Sequence, residues 1–137
     1  MKVKLPDLES ALKDSWSRET SSDPANWSEE NPAWGQCAVT ALIVNDYLGG
    51  EIVWALARLP NGKEASHYFN KIDNEDFLAC PVDLTRTQFP QGTYIPQGIQ
   101  KTKNFPTTRD YILSYKQTVE RYNLLKCKVN SSLERAL

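Results

Sequence analysis

The chain has 137 residues, 40% of them hydrophobic and 24% charged, with a formal net charge of -1. That length fits one domain, expected over 1–137, with a core of its own. The near-neutral balance removes the main argument for a nucleic-acid partner, and no stretch approaches the roughly 20 apolar residues of a membrane span. Three cysteines at 37, 80 and 127 and a single histidine lack the paired spacing of a zinc site or a disulfide framework. No membrane partner, metal or cofactor is therefore expected, and the chain reads as cytoplasmic, since no apolar run follows Lys2 and Lys4 to make a leader.

Residues 7 to 18 carry Leu8, Leu12 and Trp16 at helical spacing with charged residues elsewhere on the wheel, which predicts an amphipathic helix. Residues 17 to 34 are polar and turn-forming apart from Trp27 and Trp34, a loop long enough to suggest a function. From Gln36 to Leu48 the pattern is helical again, with Cys37, Ala41, Val44 and Leu48 on one inward stripe and Gly49-Gly50 as the stop.

The run 51–59 is too continuously apolar for a surface helix, and Pro60-Asn61-Gly62-Lys63 follows it. Asn-Gly between two such runs is a hairpin signal. With Asn61 and Gly62 as the two central turn residues, Leu56 falls opposite His67 and Trp54 opposite Phe69. The next strand, 64–72, leads into an acidic loop around Glu75, read as a solvated hairpin tip, and then into the run 78–84. A five-residue loop places His67 opposite Asp83, with Cβ atoms roughly 4.5 to 5.5 Å apart.

Residues 84–90 suggest one turn of helix, and 91–106 a surface loop with an edge strand near Tyr94-Ile95. One last helix begins at Thr107 or Thr108 and carries Ile112, Tyr115, Val119, Tyr122 and Leu125, with fraying from Asn130. Cys127 is placed beyond that helix, and Cys80 mid-strand on the face opposite His67; neither is assigned a role. Asn70 also falls on the face opposite His67.

Cysteine attacks as the thiolate, which a helix N-terminus and a nearby imidazolium both favour. Cys37 has access to both. His67 then serves as base and acid, and Asp83 fixes its tautomer and orientation. The Cys37 backbone N–H is a natural oxyanion donor, with Gln36, Asn31 or Trp34 as sources of a second. Each residue alone also has a bland reading, since free cysteines and lone histidines are usually structural.

At Trp34-Gly35-Gln36-Cys37-Ala38-Val39-Thr40-Ala41-Leu42, Asp46-Tyr47-Leu48-Gly49-Gly50-Glu51-Ile52, Ser66-His67-Tyr68-Phe69-Asn70 and Val82-Asp83-Leu84-Thr85-Arg86-Thr87-Gln88-Phe89, the sequence resembles the YunG-like family of small bacterial proteins. The order of a cysteine on a helix N-terminus, a histidine on a strand and an aspartate on the next is similar to the papain-like and transglutaminase-like cysteine enzymes. That likeness implies Cys37 as nucleophile, His67 as base and acid, and Asp83 as orienter. Papain-type peptidases carry an oxyanion glutamine six residues before the nucleophile, where this chain has Asn31.

The expected fold is α+β with a papain-like core. Its Cys37 helix packs, with the N- and C-terminal helices, against an antiparallel sheet of three or more strands. The expected function is a cysteine hydrolase or acyl-transfer enzyme with a Cys37, His67, Asp83 triad acting on a small-molecule or peptide amide or thioester. The alternative is a non-catalytic binding protein that keeps the same core.

Overall fold

The computed structural model describes residues 3–73 and 80–136. The tip of the acidic loop around Glu75 lies outside them. The architecture is α+β. Helix α1 (Leu5–Ser15) precedes α2 (Cys37–Leu48), strands β1 (Glu51–Arg58), β2 (Glu64–Ile72) and β3 (Cys80–Val82) follow, and α3 (Thr108–Leu113) and α4 (Lys116–Arg135) close the chain. The three strands form an antiparallel sheet in the order β1, β2, β3.

The helix layers differ from the sequence expectation. Among the described residues α2 and α3 make the main contacts with the sheet, α2 mainly on β2 and α3 on β1, while α1 and α4 pack chiefly on each other and on α2. Val39, Thr40, Ala41, Leu42, Ile43 and Val44 are consequently all buried. The expected single stripe on α2 becomes, over residues 39–44, a segment enclosed on every side, because neighbours cover both its sheet side and its outer side. Leu8, Leu12, Leu42, Ile43, Leu125 and Val129 have no exposed surface; complete burial stabilises by about 1.5 to 3 kcal/mol for each such large side chain. Trp16 follows the end of α1 and its Nε1–H donates to Thr40 Oγ1 at 2.9 Å, tying α1 to α2.

The β1–β2 register is shifted by one residue from the expected one: Ala55, not Leu56, faces His67, and Val53 faces Phe69. Pro60 is the cause. A two-residue turn would pair Pro60 with Lys63 in the ladder, but proline has no N–H to give. Leu59 N–H instead donates to Lys63 O, and Gly62 N–H to Leu59 O, with Gly62 at φ 86. This is a three-residue hairpin loop with glycine in the left-handed position. Leu56 accordingly turns outward and Ala55 is buried.

In the second hairpin Asn70 pairs with Val82 and Ile72 with Cys80, a shift of two from the expected register. An even shift leaves every side chain on its expected face. Cys80 thus shares the Ile72 face, away from His67. Asn70 is on that face too, and its Nδ2 donates to Ala41 O of α2 at 3.0 Å. Val53, Ala55 and Phe69 form a second, small apolar cluster on the opposite side, covered by Ile95.

The edge-strand expectation survives as two single bridges to β1, Arg58 with Tyr94 and Trp54 with Ile99. The expected C-terminal helix is two helices. Ser114 Oγ donates to Tyr111 O at 2.6 Å, and Tyr115 adopts an extended backbone, which ends α3 and restarts the chain at Lys116. The break moves the buried stripe to Thr118, Tyr122, Leu125 and Val129 and leaves Tyr115 exposed. The tail beyond Asn130 stays helical to Arg135, anchored by buried Val129 and by the Tyr47 hydroxyl, which donates to Asn130 Oδ1. Cys127 therefore lies within α4, exposed, rather than past the last helix. Among the described residues no helix is long and apolar enough to cross a membrane.

Candidate active site

Cys37 is the first residue of α2 and is partly exposed. Gln36 stands at the N-cap without a side-chain cap bond, and Thr40 N–H to Gln36 O is the first bond of the helix. The N–H groups of Cys37, Ala38 and Val39 thus have no partner within the helix and carry its positive partial charge. The approach to Cys37 is sharply bent. Gly35 has φ 72, and a Cβ there would fall 2.3 Å from Ser21 Oγ. Ser22 N–H donates to Gly35 O at 2.9 Å and Ser21 Oγ to Trp34 O at 2.8 Å, so the loop before Cys37 is held by the segment that follows α1.

His67 is completely buried on β2. Its ring stacks on Phe69 at 5.7 Å and meets Phe89 edge-on at 5.0 Å between centroids. Nε2–H donates to Asp83 Oδ2 at 2.7 Å, and Asp83 is the first residue beyond β3. Burial on its own disfavours the imidazolium. The hydrogen bond to Asp83, the neighbouring Cys37 thiol and the negative charge that each of these can carry outweigh it, and the pKa is pushed up to about 9. Cys37 is therefore close enough to influence the ring, although no formed hydrogen bond reaches Nδ1. With Nε2 committed to Asp83, Nδ1 is the nitrogen left for the thiol.

The three expected supporting residues have other occupations. Gln36 is fully buried; its Oε1 accepts from Thr20 Oγ1 at 2.8 Å and its Nε2 donates to Ser17 O at 2.9 Å. Asn31 Nδ2 donates to Gln88 O at 3.0 Å, and Trp34 Nε1 to Asp23 Oδ2 at 3.0 Å. Through these bonds all three brace the loop before Cys37. Asn70, bonded to Ala41, is not brought to His67.

Gln88 was not singled out by the sequence. It closes the short 3-10 turn Arg86–Gln88, is buried, and accepts the Gly35 N–H at Oε1 over 3.3 Å. Its signal is a contact spanning 53 positions, which no local pattern carries. Among the described residues four buried side-chain nitrogen or oxygen atoms lack a hydrogen-bond partner: His67 Nδ1, Asp83 Oδ1, Gln88 Nε2 and Arg121 Nε. Such groups cost about 1 to 3 kcal/mol each, and three of the four converge on this one cluster. No group of three or more His, Cys, Asp or Glu side chains able to hold a metal occurs among the described residues.

A family model described as "YunG protein" matches residues 4–134. The "Uncharacterized protein YunG" of Bacillus subtilis (strain 168) is 40% identical over 78 residues, which are 57% of this chain and 56% of that relative. The match thus spans little more than half the relative's length. No solved structure matches.

Proposed function

The chain belongs to the YunG protein family, and from that premise we propose that it is a cysteine-dependent hydrolase or acyl-transfer enzyme acting on an amide or thioester. One observation carries the reading: His67 is held by Asp83 at 2.7 Å through Nε2, while its other nitrogen is buried and free. A cysteine at an uncapped helix N-terminus stands close enough to favour the charged ring. The likeness to the papain-like and transglutaminase-like cores belongs to this proposal, and it rests on the order and roles of these three residues.

In the proposed reaction Cys37 Sγ, its proton transferred to His67 Nδ1, attacks the substrate carbonyl carbon. The charge that gathers on the carbonyl oxygen is met by the Cys37 N–H. Gln88 Nε2, on the Arg86–Gln88 turn whose Oε1 accepts the Gly35 N–H, has no hydrogen-bond partner and serves in this reading as a second donor. The carbon–nitrogen or carbon–sulfur bond then breaks as His67 returns its proton to the leaving group. Water or an acceptor amine, giving a proton to the imidazole, attacks the Cys37 thioester, and the carbon–Sγ bond breaks to release the acid or amide product and restore Cys37.

Alkylation of each cysteine by iodoacetamide, followed by peptide mass spectrometry from pH 5 to 10, tests this reading. Cys37 is expected to react faster than exposed Cys127 at neutral pH, and to lose that advantage in His67→Asn and in urea. A folded protein in which Cys37 reacts no faster than Cys127 would sink it. The complete burial of the His67 ring favours a second reading, a non-catalytic binding protein with the same core, in which Cys37→Ser keeps every property of the parent.

A further inference from the structure

Beside the nucleophile lies a cavity of about 350 Å³. Ala38, the second residue of α2, and Tyr68 both line it; Tyr68 lies on the opposite sheet face from His67, but Cys37 is near enough to act electrostatically on its hydroxyl. Its wall also carries Arg121, Lys101, Tyr111 and Tyr115, and it contains no Asp or Glu.

The two cations have no ion-pair partner, although Glu120 favours the Arg121 charge from farther away. Among the described residues neither Arg121 nor Lys101 has a carboxylate within ion-pair reach. Arg121 spends one nitrogen on Thr118 Oγ1 at 3.2 Å and leaves Nε buried without a partner. Lys101 Nζ lies 4.1 Å from the centroid of the Trp54 ring, a contact that holds the ammonium in place while leaving its charge unpaired. Burial also works against the Arg121 charge, lowering its pKa, and an anion bound there would relieve that penalty. The tyrosine hydroxyls add hydrogen-bond donors, and a concave wall of one sign concentrates its field on what enters.

We propose that this cavity is the substrate-recognition pocket and that it takes a carboxylate on the substrate, a few bonds from the scissile carbonyl, between Arg121 and Lys101. The closest fit is an amide or thioester bearing a terminal carboxylate, as at the free end of an acylated amino acid or short peptide. A guanidinium presents paired N–H groups that match a carboxylate, and the lysine contributes a point charge beside them. This inference rests on the acyl-transfer reading of Cys37.

The test compares alkylation of Cys37 by N-bromoacetylglycine, by its neutral amide N-bromoacetylglycinamide, and by the matching aminomethylphosphonate. The carboxylate probe is expected to show saturation and to react about tenfold faster than the neutral amide, the size of one charge-assisted hydrogen bond. That ratio should fall toward one in Arg121→Gln and in Lys101→Gln, two variants made so that either can report. It should persist in Lys63→Gln, which makes the same charge change at the hairpin tip. Three outcomes overturn the pocket: a ratio near one in the parent protein, a ratio unchanged in both cavity variants, or a phosphonate faster than the carboxylate. The acyl-transfer reading stands or falls separately, on whether the neutral amide labels Cys37 in a manner dependent on His67.

Discussion

His67 and Asp83 meet at 2.7 Å although no ladder position pairs them. β3 ends at Val82, opposite Asn70, and Asp83 turns from the strand end back onto the ring. The carboxylate is therefore fixed by the end of a strand and by the turn at Arg86–Gln88, whose following residue, Phe89, covers the other side of the imidazole. A buried histidine would ordinarily lose its charge, and here that tendency is outweighed.

Asp83→Asn should remove the main counterweight to burial. The His67 pKa then falls from about 9 toward or below the ordinary 6.5. Because His67 is the chain's only histidine, its ring protons can be followed in an NMR titration without assignment ambiguity. A midpoint still near 9 in Asp83→Asn would show that the carboxylate does not hold the charge. Loss of the buried bond should also cost about 1 to 3 kcal/mol in urea unfolding.

The same shift gives stability a definite pH dependence. The folded-state pKa of His67 lies above its ordinary value, so folding takes up a proton between the two. The stabilisation is complete below about pH 6.5 and is lost as pH rises through about 9. The urea midpoint of the parent should decline across that window. His67→Gln should be less stable at pH 6 and flatter from 6.5 to 9, and an equally steep decline in the variant would assign the effect to another group.

Gln36→Ala is expected to act on folding. Its side chain joins α2 to Thr20 and Ser17 and has no exposed surface, so truncation breaks two hydrogen bonds and opens a small void. A loss of about 2 to 4 kcal/mol follows from those two terms. Thermal or urea unfolding checks it, and a cost under about 0.5 kcal/mol, the level of an ordinary surface change, would contradict the bracing role.

How much of this was legible in the sequence depends on the range of the interaction. The element order up to the C-terminal helix, the Cys37 helix start and its Gly49 stop follow from local pattern and cap chemistry, and all are present. The Asn61-Gly62 signal located a hairpin, but the neighbouring Pro60 decided its loop length and so the β1–β2 register. The His67–Asp83 contact was anticipated through a register that is off by two, and it survived because an even slip preserves the face. Gln88 and Arg121 stayed invisible because their significance lies in partners far along the chain or in partners they lack. Ser114 broke a helix that the apolar spacing alone reads as continuous; its hydroxyl competes for a backbone carbonyl, which periodicity does not register.

Gly35→Ala tests the geometry that delivers Cys37 to its helix. The substitution adds a Cβ where φ is 72 and where Ser21 Oγ would be 2.3 Å away, with the backbone nitrogens of Ser22 and Asp23 at 3.0 and 3.1 Å. A backbone term of about 1 kcal/mol and an overpacking term of about 1 to 3 kcal/mol add together. Part of the second term belongs to the serine hydroxyl alone. In a Ser21→Ala background the cost of Gly35→Ala should therefore drop, giving a double-mutant coupling of about 0.5 to 1.5 kcal/mol in the sense of relief. Costs that simply add would mean that the loop escapes the hydroxyl by another route. The backbone contacts persist in the double variant, so its Cys37 should still alkylate more slowly than in the parent. That remaining deficit measures how far the reactivity of the thiol depends on this one bend.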